Sequence, residues 1–143
     1  MKTRRDFIRN ATVLAAGAML PMSSFSLSPH RTGANDKIRV GLIGANGMGY
    51  SDLTSFLKNP EIECIALCDI DRNVLDKRVG DLAGAGKPVP KLYADYRKML
   101  ENKDIDVVII GTPDHWHCLQ FTDALAAGKH VYVEKPLGNT IAE

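Results

Sequence analysis

KIRVGLIGANGMG, residues 37–49, decides the fold. The first seven residues are an apolar run long enough for one buried strand. GANGMG then follows at 44–49 and opens onto a segment with helical character. A strand that ends in a glycine-rich turn and runs into a helix is the arrangement that cradles a dinucleotide pyrophosphate. Gly44 permits the tight turn, bare backbone lets N–H groups approach phosphate oxygens, and the helix N-terminus favours the anion. The usual spacing is G-x-G-x-x-G, and here the middle position is Asn46. Asparagine enters positive φ more readily than most residues, so Asn46 is expected to hold the turn there. Gly47 is expected to supply the close approach, with Met48 and Gly49 completing the loop.

Outward from this stretch, strands and helices alternate. Residues 48–57 read as a helix closed by Asn59-Pro60. IECIALC at 62–68 is a second strand, 71–82 a polar helix, and GAGKPVP at 84–90 a loop. Residues 91–93 form a short strand, and Asp95 is a suitable N-cap for a helix through 101. DVVIIG at 106–111 is continuously apolar, as a strand inside a parallel sheet must be. A helix is expected over 114–127, ended by Gly128, and a fifth strand over 130–135. This alternation predicts an α/β doubly wound parallel sheet of Rossmann type, strand order 3-2-1-4-5. No internal repeat or low-complexity segment interrupts it.

A glycine loop alone does not specify a cofactor. Asp69 adds the second element: it ends the second strand, 20 residues after Gly49, where a carboxylate accepts hydrogen bonds from the adenosine ribose hydroxyls. The same charge repels a 2′-phosphate, so NAD is expected over NADP. Arg72 nearby softens that preference.

GTPDHWH (111–117) and EKP (134–136) follow the fourth and fifth strands, on the sheet edge that carries the glycine loop. Taken in order, the glycine loop, the acidic strand end, T-P-x-x-x-H, A-G-K-H-V and E-K-P resemble the glucose–fructose oxidoreductase / inositol dehydrogenase / MocA family over about residues 37–143. The resemblance implies an NAD(P)-binding Rossmann domain paired with a larger substrate domain, and oxidation or reduction of a sugar or cyclitol hydroxyl. It implies that Lys135 stands beside the reacting hydroxyl, that Glu134 contacts the nicotinamide side, that Thr112 and Pro113 line the cofactor, and that His117 is the motif histidine with a catalytic part. His115 and Trp116 are this sequence's own filling and are expected among the cofactor-binding residues. Trp116 is suited to pack on the nicotinamide or the sugar. No metal is expected, because His115 and His117 at i, i+2 do not share a helix face.

Family members extend well beyond 300 residues, so the chain is expected to be the cofactor half of a longer protein. It should bind NAD without turning over a sugar, and any homo-oligomer would form through the missing domain. The same family contains NAD-dependent glycosidases that act by transient sugar oxidation. A non-catalytic nucleotide-binding module is the third reading, opposed by the complete EKP motif.

The ends and the composition bound the rest. The 143 residues carry a net charge of +1, unevenly spread. Residues 1–34 hold five basic residues against one acid, and 35–143 hold thirteen against sixteen. An acidic body offers no basic face for nucleic acid. Cys64, Cys68 and Cys118 form no disulfide framework, and the first two read as buried small hydrophobes. Residues 1–34 read as an export signal and linker, leaving 35–143 as the Rossmann domain. The stretch TRRDFIR at 3–9 resembles the twin-arginine signal, which directs folded proteins to the periplasm. Its apolar run of about 10 residues falls short of the roughly 20 a membrane span needs, so no stable anchor is expected. Thr32-Gly33-Ala34 is the best candidate cleavage site.

Overall fold

The computed structural model describes residues 37–138 and 140. The leader and the boundary expected at 34/35 lie outside those residues.

Five parallel strands form one sheet: β1 (Ile38–Ile43), β2 (Ile62–Cys68), β3 (Lys91–Tyr93), β4 (Val107–Ile110) and β5 (His130–Val133). Their order is β3-β2-β1-β4-β5, as the sequence predicts. The chain runs outward from β1 to β3, then crosses back to β4, so the switch point lies between β1 and β4. Side chains on successive strand residues alternate between the faces. Val40 and Leu42 pack on the face covered by α1 (Gly47–Phe56) and α2 (Arg72–Gly84), with Leu53, Leu75 and Leu82. Ile43, Val108 and Ile110 pack on the other face, under α3 (Tyr96–Leu100) and α4 (His117–Ala126), with Met99 and Ala124. Each fully buried Leu or Ile contributes about 1.5–3 kcal/mol, so both faces hold the sheet between its helices. Gly41 belongs to this packing, since a Cβ there would stand 3.1 Å from Met99 Cε and 3.2 Å from Ile105 Cδ1.

The helix ends are fixed by local chemistry. Asp71 caps α2 by accepting from Asn73 N at 2.9 Å, and Asp95 caps α3 by accepting from Arg97 N at 2.9 Å. Gly128 ends α4 at φ +73°. Cys64 and Cys68 are buried, and burial pushes both thiols up to about 12, so they remain inert thiols inside the sheet.

One element differs from the sequence reading. The expected helix over 114–127 is divided: Asp114–Trp116 is a separate 3₁₀ turn, closed by Trp116 N donating to Pro113 O at 3.0 Å, and α4 begins at His117. The tighter turn rotates His115 and Trp116 outward and His117 inward.

Candidate functional site

The carboxyl ends of β1, β2 and β4 open onto a crevice of about 500 Å³. Its floor is glycine against glycine. A Cβ on Gly44 would stand 2.8 Å from the Gly111 carbonyl, and one on Gly49 would stand 3.1 Å from Gly111 Cα and overlap Gly44 O. The loops after β1 and β4 therefore touch through bare backbone, which brings the start of α1 down onto the sheet.

The missing middle glycine is resolved differently from expectation. Asn46 does not take positive φ: it sits at φ −106°, ψ 168°, and no non-glycine residue has positive φ among the described residues. Gly47 carries the turn instead, at φ +48°, with no atom within 4 Å of where its Cβ would be. The strain moves one residue along the chain, to a glycine that bears it at little cost. Met48 follows in the first turn of α1 and is exposed.

Asp69 stands at the end of β2, on the crevice wall. Its Oδ2 accepts from Ala45 N at 2.8 Å and its Oδ1 from Asp71 N at 3.0 Å. Each oxygen retains a further lone pair for a ligand hydroxyl. Arg72 does not line the crevice; it pairs with Asp76 at 2.9 Å on the surface of α2.

Across the crevice, Thr112, Pro113 and Trp116 form the opposite wall, with Trp116 44 % exposed. Thr112 Oγ1 donates to Gln120 Oε1 at 2.7 Å, which holds the loop to α4. His115 points to solvent beside Asp114, 3.7 Å away. His117 is only 2 % exposed. Its Nδ1 lies 2.7 Å from Pro136 O and its Nε2 2.7 Å from Thr112 O. Both nitrogens are committed to main chain, so His117 ties the loop after β4 to the turn after β5 and presents no ring nitrogen to a substrate.

Lys135 follows β5 at the same carboxyl edge and is exposed. Glu134 N donates to Ile110 O at 3.1 Å, which continues the ladder to the foot of the EKP turn. The Glu134 side chain turns toward α1: Oε1 accepts from Tyr132 Oη at 3.1 Å, and the carboxyl faces Asp52.

Sequence reasoning passed over two groups. Arg78 of α2 reaches the glycine loop, donating from Nε to Ala45 O at 2.9 Å and from Nη2 to Asn46 Oδ1 at 3.3 Å. Ile70 and Arg97 line the far end of the crevice, Ile70 being 94 % exposed. The available signal for Arg78 was its position: 75, 78 and 82 share one helix face, and Leu75 and Leu82 are core residues. Among the described residues no three of His, Cys, Asp and Glu converge to hold a metal ion, and no helix is long and apolar enough to cross a membrane.

The comparisons with known proteins agree with this geometry. A glycosyl hydrolase family 109 protein of Shewanella pealeana is 34 % identical over an alignment that covers 98 % of this chain and 35 % of the relative. The chain thus spans about a third of the length of such curated relatives. A scyllo-inositol dehydrogenase of Lactobacillus casei, solved with NAD(H) and scyllo-inositol, is 30 % identical with a TM-score of 0.67, covering 75 % of this chain and 30 % of that one. The WlbA dehydrogenase of Chromobacterium violaceum, solved with NADH and UDP-GlcNAcA, is 29 % identical with a TM-score of 0.67, over 76 % and 30 % of the two chains. The family model GFO_IDH_MocA, described as an oxidoreductase family with an NAD-binding Rossmann fold, matches residues 38–143, and this chain belongs to that family.

Proposed function

We propose that residues 37–143 hold NAD for an exported oxidoreductase that acts on a sugar or cyclitol hydroxyl. The observation that carries this is the bare-backbone contact of Gly44, Gly49 and Gly111 beside Asp69 at the switch point. The residues fit the cofactor. Gly47 and the start of α1 present an open, side-chain-free approach for a pyrophosphate, and Asp69 offers acceptors to a ribose. The same carboxylate disfavours a 2′-phosphate, so NAD is preferred to NADP. Thr112, Pro113 and Trp116 would flank the nicotinamide half. Bound NAD supplies the two-electron acceptor.

Oxidising a hydroxyl breaks its O–H and carbinol C–H bonds. An ammonium at Lys135 beside the oxygen stabilises the negative charge left as the proton departs to a base. That base and the substrate pocket are assigned to protein beyond this chain, as is any self-association. Residues 1–34 are assigned the role of a twin-arginine signal for a periplasmic enzyme.

The name of the Shewanella pealeana relative favours a second reading, a glycosidase in which the sugar is oxidised, loses its aglycone and is reduced again. A protein of the relatives' full length distinguishes the two. Incubated with NAD and free sugars or cyclitols, the oxidoreductase accumulates NADH in proportion to product. The glycosidase releases the phenol from an aryl glycoside with no net NADH. A protein that does neither, while still binding NAD, would leave the non-catalytic module as the surviving reading.

A further inference from the structure

Asparagine is among the best helix N-caps, because its side-chain oxygen accepts from the N–H groups of the first turn. Asn46 occupies the N-cap position of α1, yet its side chain makes no capping hydrogen bond. Its Oδ1 is turned to Arg78 Nη2, 3.3 Å away. Arg78 is placed firmly for this. Its side chain is 13 % exposed, its Nη1 pairs with Asp81 at 2.8 Å, its Nε donates to Ala45 O at 2.9 Å, and its guanidinium carbon lies 4.0 Å from the Tyr50 ring centroid. A planar guanidinium spends three arms in fixed directions, and one of them holds the asparagine oxygen away from the helix start.

We infer that Arg78 is a positioning residue that keeps the first N–H groups of α1 available to the cofactor pyrophosphate by withdrawing the Asn46 side chain that would otherwise cap them. The inference rests on the NAD reading above and deepens it. It explains how this loop tolerates asparagine where the usual spacing has glycine. A glycine there has no side chain to compete with phosphate; here the competing side chain is present and restrained. Without Arg78, Asn46 Oδ1 swings onto the helix N–H groups, and NAD must displace it.

The test is a titration of NAD and of adenosine into the intact chain and its variants, followed by fluorescence of Trp116. Arg78→Met should weaken NAD about fivefold, the competition expected of one helix cap. Adenosine has no phosphate, so its affinity should stay within about twofold. The decisive variant is Asn46→Gly in the Arg78→Met background: with no side chain left to cap, NAD affinity should return to within about twofold of the unaltered chain. A merely structural Arg78 predicts equal losses for both ligands and no such recovery. If Arg78→Met does not fold by circular dichroism, Arg78→Lys decides. It keeps the charge beside Asp81 but lacks the second arm for Asn46, and the same loss and recovery are expected. Undiminished NAD affinity in the folded variant, equal losses for NAD and adenosine, failure of Asn46→Gly to restore binding, or loss of folding in both Arg78 variants would each overturn the inference. An unaltered chain that binds no NAD would instead sink the cofactor reading, and this inference with it.

Discussion

Asp69 has two tasks in this structure. Its carboxylate orders the glycine loop through Ala45 N and the start of α2 through Asp71 N, and it faces the crevice where a ribose would lie. A test of cofactor choice must separate these. Asp69→Asn removes the charge that repels a 2′-phosphate but leaves one acceptor oxygen for the two backbone donors, Ala45 N and Asp71 N, so the readout is the ratio of the two cofactors and not either affinity alone. The ratio of NAD to NADP affinity should fall by about 1–3 kcal/mol, the worth of a hydrogen bond to a charged group. Paired titrations of both cofactors check it, and an unchanged ratio would remove the discriminating role. Lys135 is the other single residue on which the functional reading depends. On the proposed reading it acts as the hydroxyl loses its proton, which puts its contribution in the transition state and not in cofactor binding. In a protein of the relatives' full length, Lys135→Ala should lower kcat about 10²–10⁴-fold and leave NAD affinity unchanged. Near-normal turnover, or joint loss of NAD binding and activity, would contradict that. At this scale the sequence was legible where chemistry is carried by residue type, as with Asp69 and the glycines. It was not legible where a side chain's direction depends on a partner far along the chain. Asn46 and Arg78 are 32 residues apart, and only the folded α2 brings them together.

Elements were legible where turn residues bound them or where they are apolar throughout. β2 and β3 match their expected limits because each is bounded by turn residues, and β4 reads plainly because it is apolar throughout. The 3₁₀ turn over Asp114–Trp116 was not, because its residues are compatible with a first helical turn and the backbone choice is made by the Pro113 carbonyl. Across that turn His115 is exposed and His117 is buried. Another feature of elements is the junction of α1 with β5. Phe56 and Tyr132 meet edge to face at 5.2 Å, and Tyr132 donates to Glu134 at 3.1 Å. Next to them Asp52 Oδ2 is buried with no donor facing it among the described residues. Burial first, and the Glu134 carboxylate second, hold the Asp52 carboxyl above its ordinary 3.8. The folded state therefore holds this proton more tightly than the unfolded chain does, and a proton shared between the two carboxyls is the expected donor to Asp52 Oδ2. The stability it contributes is fully present below pH 3.8 and is lost as pH rises through the higher folded value. Asp52→Asn donates to Glu134 at every pH. It should match the unaltered chain near pH 4 and exceed it by about 1 kcal/mol at pH 7. Thermal unfolding across that range checks the sign, and an asparagine variant that is less stable at pH 7 would refute the shared proton.

For the whole molecule, alternation and right-handed crossovers predict a doubly wound parallel sheet, and the order expected of its dinucleotide-binding form is the order found. The chemistry at the sheet's carboxyl edge follows from that topology: residues 44–49, 69, 111–117 and 134–136 are distant in sequence and meet because every parallel strand ends there. The amino-terminal edge holds the structural part of the same family pattern. Lys129 of A-G-K-H-V is buried there and donates to Asn102 O at 2.7 Å and Ile105 O at 3.0 Å, far from the crevice. Where the protein works is a separate matter, which the proposal rests on residues 1–34. A Rossmann domain acquires its NAD in a compartment that contains NAD, and a route that moves folded proteins lets the cofactor travel already bound. The proposed twin-arginine signal meets that need, whereas an unfolded-chain route would deliver an empty domain. The test keeps charge constant. Arg4→Lys with Arg5→Lys preserves the basic start and the apolar run after it, so an ordinary secretory signal should still function. Fused to a reporter that is active only when exported folded, the altered leader should lose nearly all export, while the unaltered leader delivers reporter to the periplasm. Export that survives the double change would place the leader on the unfolded-chain route. Loading of the domain before it leaves the cytoplasm would then have no support.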